Sequence, residues 1–173
     1  MTSTRWTRVA VVVFVVLIAH DAVLRGLRVD GVRPDLLLGL AVVGGLVGGP
    51  ESGAVIGFAT GLVADLFLPT PLGLSALVFC LLAYTVGALQ TTILPQGRLS
   101  LPVTTLIASA AGEVLFALVG TVVGLRGMVN LHLVAIVVVV GLGNSLLSPL
   151  FARLVRWSMS PGTHGPPRRS FAQ

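Results

Sequence analysis

Few residues of this chain can do chemistry, and most of them stand inside apolar runs. Asp65 closes the stretch GAVIGFATGLVAD (53–65), where Gly53, Gly57 and Gly61 precede it at steps of four. Glu113 lies within ASAAGEVLF and Asn144 within GLGNSLLSP, while His20 and Asp21 end the first apolar run and Asp35 opens the second. A carboxylate in such a setting serves as a proton relay, an ion ligand or half of a hydrogen-bonded pair. Glu113, with Asn144 able to reach across to it, fits any of these, and a structural pair or a protonated Glu113 is the simplest. The single Cys80 forms no intrachain disulfide and reads as a small buried hydrophobe.

The motifs of the common catalytic classes are missing. There is no Walker loop for nucleotide hydrolysis and no His/Cys/acid spacing of a metal site. Neither a Gly-x-Ser-x-Gly elbow nor a pair of intramembrane aspartates occurs. Ser75, Ser109, Ser145 and Ser148 read as small residues at helix contacts. The expectation is a protein that is not an enzyme and carries no cofactor and no metal.

The elements that would position these residues follow from composition. Of 173 residues, 55% are hydrophobic and 10% charged, and the mean hydropathy is +1.01. A soluble domain carries about a quarter charged residues, so lipid must be the solvent for most of this chain. The expected fold is all-α: one polytopic integral membrane domain over residues 1–157, followed by a disordered cytoplasmic tail, SMSPGTHGPPRRSFAQ (158–173). His164 in that tail is a solvated residue.

Six apolar segments are readable, near residues 9–24, 35–48, 53–68, 72–89, 103–125 and 131–151. They imply about six transmembrane helices. The first, preceded by Arg5 and Arg8, lacks a small-x-small cleavage site and is expected to stay as an uncleaved membrane helix. The second and third fall short of the roughly 20 residues a crossing needs. Two full crossings and a hairpin that enters and returns both fit them. Pro34 and Pro71 are placed at the first turns of helices, and GGPES (48–52) makes a turn between them.

All eleven basic residues are arginine, and the net charge of +5 reads as membrane orientation, with no nucleic acid implied. With the N-terminus inside, Arg5, Arg8, Arg98, Arg153, Arg156, Arg168 and Arg169 are cytoplasmic, against Arg25, Arg28, Arg33 and Arg126 outside. Both termini are therefore expected in the cytoplasm.

Membrane helices associate by close contact, which small residues permit. The Gly53, Gly57, Gly61 stripe is thus a packing surface, either for the second segment with Gly44, Gly45, Gly48 and Gly49 or for a helix of another protein. Asp65, on the same stripe, needs a partner. Arg25, Arg28 and Arg33 are candidates, as are the unpaired amides that begin the helix after PTPLG.

The stretch PDLLLGLAVVGGLVGGPESGAVIGFATGLVADLFLPTPLGLSALVFCLLAY (34–84) resembles the core of the rod shape-determining MreD family. The matching pieces are Pro34-Asp35-Leu36-Leu37, the glycine-rich helix ending Gly61-Leu62-x-x-Asp65, and Pro71-Leu72-Gly73. The resemblance implies a non-enzymatic scaffold of the bacterial cell-elongation machinery, in the inner membrane. Such a scaffold would bind the single-pass protein MreC, in a complex with MreB filaments and a peptidoglycan glycosyltransferase and transpeptidase. It also implies a fold similar to the substrate-binding subunits of energy-coupling-factor vitamin transporters, and a small-molecule binding subunit is the alternative function. The surface around Gly53, Gly57, Gly61, Asp65, Pro71 and Gly73 is then expected to contribute to MreC docking or to the fold that presents it.

Overall fold

The computed structural model describes residues 2–26, 35–67, 70–90, 99–125 and 131–160. Within them the chain forms five helices: α1 (Thr2–Gly26), α2 (Leu36–Asp65), α3 (Leu74–Gln90), α4 (Ser100–Val122) and α5 (Leu131–Met159). The second and third apolar segments are the two halves of α2. They are joined at Gly49, whose φ of 78° lies in the left-handed region, followed by Pro50, which has no N–H to continue the ladder. The chain folds back sharply there. A methyl group added at Gly44 would lie 3.0 Å from Ile56, and one at Gly53 would lie 2.6 Å from the Gly45 Cα.

The count of six crossings is not supported. Three helical stretches, Leu36–Asp65, Ser100–Val122 and Leu133–Met159, are long and apolar enough to cross a membrane, and Leu74–Gln90 is a shorter apolar helix. The two arms of α2, residues 36–48 and 50–65, are about 20 and 24 Å long at about 1.5 Å per residue. Neither alone has the length of a full crossing of a hydrocarbon core of about 30 Å.

The first arm of α2 is the centre of the bundle. Leu36 through Leu46 is buried without interruption, which is why its sequence shows no polar face. Gly39 lies against Asn144 and Phe151 of α5, and Leu38 reaches Gly112 of α4. Val9, Val12, Val13 and Val16 of α1 and Phe151, Ala152 and Val155 of α5 belong to the same core. The outside of the bundle is apolar too: Phe14, Ile18, Phe58, Leu81, Ile107, Leu142 and Leu146 are all exposed. Such a surface suits lipid and would aggregate in water.

The start of α1 meets the end of α5. An Arg8 side-chain N–H donates to the Ser160 carbonyl at 3.0 Å, and the Arg8 guanidinium lies 5.6 Å from the Trp157 ring centroid. The helical domain was expected to end at residue 157, but α5 runs to Met159, and Ser158 is buried. The rest of the expected tail, His164 included, lies outside the described residues. So do the side chains of Arg5, Arg25, Arg28, Arg33, Arg98, Arg126, Arg168 and Arg169.

Candidate functional site

The glycine stripe faces α3. Gly53 meets the Ala83 carbonyl, Gly57 the Phe79 carbonyl, and Gly61 the Ser75 carbonyl and Ala76 backbone. The two helices run antiparallel, with 53, 57 and 61 stepping past 83, 79 and 75 at the same interval. Added methyl groups would sit 2.7 Å from the Ala83 oxygen and 2.5 Å from the Ala76 Cα. No side chain fits there, so the seam is backbone on backbone. Gly87 continues it against Gly49 and Pro50. The second segment, expected as the main partner, approaches the stripe through Gly45, next to Gly53. The short connection from Asp65 to Leu74 brings α3 alongside the second arm and leaves the first arm to the core.

Asp65 locks the far end of this seam. Its Oδ2 accepts from Gly73 N–H at 2.8 Å and Ala76 N–H at 3.2 Å, and its Oδ1 from Ser75 N–H at 2.9 Å. These are the amides that begin α3, which no intrahelical carbonyl can satisfy. Of the two kinds of partner expected for Asp65, the structure shows the amides. The carboxylate is 2% exposed. Gly73 has φ 99°, the conformation that turns its N–H toward Asp65, and Pro71 precedes the first turn of α3.

The remaining polar residues divide into two groups one helical turn apart. Asn144 donates through Nδ2 to Ser109 Oγ at 3.1 Å, with Gly39 making room beside it. The expected Glu113–Asn144 pair does not form, because Asn144 of α5 meets α4 at Ser109, one turn before Glu113. Glu113 instead lines a cavity of about 70 Å³ with Asp35 and Ser75.

Asp35 is the N-cap of α2, its Oδ1 accepting from Leu37 N–H at 3.0 Å and Leu38 N–H at 3.1 Å. The Leu36 N–H donates to His20 Nδ1 at 3.4 Å. Sequence reasoning placed Asp35 at a helix start and Ser75 at a helix contact, but gave neither a place beside Glu113. The residues are far apart in the chain, and no local pattern joins them. Cys80 is half-buried on α3.

A second feature lies on the opposite face of the stripe. Val55, Ala59 and Val63, offset by two residues from the glycines and so about 200° around the helix, line an apolar groove of about 350 Å³ with Trp6, Val13 and Phe14 of α1.

No curated protein and no solved structure matches the chain, so the similarity to energy-coupling-factor subunits gains no support. The model of one family does match, over residues 3–157 and thus nearly the whole chain. On that match, and in keeping with the apolar helical bundle, this membrane protein belongs to the MreD family, described as rod shape-determining protein MreD.

Proposed function

We propose that the chain is a non-enzymatic scaffold of the bacterial elongation machinery, seated in the inner membrane with both termini in the cytoplasm. It binds the single membrane helix of MreC and so helps position peptidoglycan synthesis. The observation that carries this reading is the division of labour on the second arm of α2. One face, Gly53, Gly57 and Gly61, is fixed to α3 by backbone contact. The other, Val55, Ala59 and Val63, is held out as one wall of the groove against α1. The seam sets where that wall stands, and the groove is apolar and suited to one apolar helix. In this reading the stripe, Asp65, Pro71 and Gly73 present the docking surface, and the MreC helix touches the groove.

Ala59→Trp fills the groove without touching the seam. Its expected result is membrane abundance near wild type with loss of MreC copurification. Gly57→Leu is expected to lower both. Full copurification of MreC with Ala59→Trp would overturn the docking assignment.

A further inference from the structure

Asp35 of α2, Ser75 of α3 and Glu113 of α4 converge on the same cavity of about 70 Å³, walled otherwise by Leu38, Phe79 and Phe116 among others. Ser75 is 1% exposed and its Oγ has no hydrogen-bond partner. That is unusual in this bundle. Thr60, Thr85, Thr105 and Thr121 each donate their hydroxyl to the carbonyl four residues back, the ordinary way a helix satisfies such a group. A buried hydroxyl left without a partner costs free energy, and Ser75 is among the residues that line the cavity.

The two carboxylates add a second demand. Both bonds of the Asp35 cap fall on Oδ1, so Oδ2 takes no part in it. Glu113 has no hydrogen-bond partner among the described residues. Two carboxylates facing one small cavity repel unless a proton or another positive charge stands between them. None of the lining residues is basic. His20 stands beside the cap, where its Nδ1 accepts the Leu36 N–H at 3.4 Å. Asp65, nearby on the seam, is saturated by its three amides.

We propose that Asp35, Ser75 and Glu113 form a binding site for a small hard monovalent cation of sodium size. The donor set is carboxylate and hydroxyl oxygen, which suits hard cations. The volume leaves room for one ion with accompanying water. A single positive charge matches the site because Asp35 is already partly balanced by the two amides and the positive end of α2, and Glu113 is not. The bound ion would tie three helices together at one point.

The test is thermal unfolding of the purified full chain in detergent, in NaCl against an equal concentration of choline chloride. Sodium is expected to raise Tm by several degrees in a saturable way. The rise should be lost in Ser75→Ala, which removes one atom from the site, and in Glu113→Gln, and kept in Asn144→Ala one turn away. Equilibrium binding of radioactive sodium to wild type, displaced by unlabelled NaCl and absent from Ser75→Ala, reads the same site without relying on stability. Equal Tm in the two salts, or a sodium effect undiminished in Ser75→Ala, overturns the proposal. Stabilisation by MgCl₂ with none by NaCl overturns the monovalent assignment.

Discussion

The Gly73 N–H donates to Asp65 Oδ2 at 2.8 Å across a connection of eight positions, joining the end of α2 to the turn before α3. Two more amides of α3 converge on the same carboxylate, so one side chain closes the antiparallel pair at the end away from the Gly49 reversal. Hydrogen bonds to a charged acceptor contribute about 1.5–3 kcal/mol each, and a buried donor left without a partner costs about 1–3 kcal/mol. Asp65→Ala is therefore expected to destabilise the chain by at least about 3 kcal/mol and to lower its abundance in the membrane. Asp65→Asn retains one acceptor oxygen and should fall between. Thermal unfolding in detergent of the three proteins, in that order, checks it.

The seam and the reversal each rest on glycine, for different reasons, and the two can be separated. At Gly57 an added methyl would run into the Phe79 carbonyl, so Gly57→Ala must push α3 away from the second arm of α2. At Gly49 a methyl meets nothing within 4 Å, and the cost is the positive φ alone, about 1–2 kcal/mol. Gly57→Ala is expected to cost more than Gly49→Ala, and Gly57→Leu more again. The comparison reads from the unfolding midpoint of each variant, and equal losses at 49 and 57 would contradict a backbone-tight seam.

Much of this architecture can be read from residue types. Asp35 marks the start of α2 as its N-cap, GGPES marks the reversal, and steps of four between Gly53, Gly57 and Gly61 mark a contact face, while Pro71 falls ahead of α3 and not in its first turn. The identity of the neighbour cannot be read that way. A stripe of small residues looks the same whether it meets Gly45 or Phe79, and only the closed turn after Asp65 selects α3. Two segments separated by a turn also read as two crossings, whereas each arm is shorter than a full crossing and Gly49 turns the second back along the first. Asn144 finds Ser109 because Gly39 clears the space, a relation spread over three helices. Ser75, Asp35 and Glu113 meet for the same kind of reason. Each sits at an end or a face whose height in the bundle depends on helix lengths and tilts, which one-dimensional spacing does not encode.

The Asn144–Ser109 bond offers a measure of how much polar pairing contributes in this core. It is 3.1 Å long and wholly buried, while Asn144 Oδ1 has no partner. Interhelical hydrogen bonds in membrane bundles average about 0.6 kcal/mol by double-mutant cycles. Asn144→Ala and Ser109→Ala with their double variant are expected to show a coupling of about 0.5–1 kcal/mol. The larger loss in Asn144→Ala should come from the cavity it leaves beside Gly39.

Arg8 and Ser160 fix the relation between the two ends of the bundle. The Arg8 side chain reaches the carbonyl just past α5 and stacks near Trp157, which requires the start of α1 and the end of α5 to share one side. Reporter domains fused before α1 and after residue 160 should therefore always give the same compartment, and opposite results would contradict the packing of α1 on α5. The contact itself is partly exposed, and a cation over an indole at such a site contributes about 0.5–1 kcal/mol, so Arg8→Ala should shift the unfolding midpoint little. Its effect on topology is a separate matter. Arg8 is one of seven arginines assigned to the cytoplasmic side against four outside, and orientation responds to that balance near the first helix. Arg8→Glu combined with Arg5→Glu is therefore expected to produce a mixed population of orientations while the shared side of the two termini is retained. Protease protection of terminal tags in sealed vesicles reads both outcomes at once: the fraction protected reports orientation, and agreement between the two tags reports the α1–α5 contact.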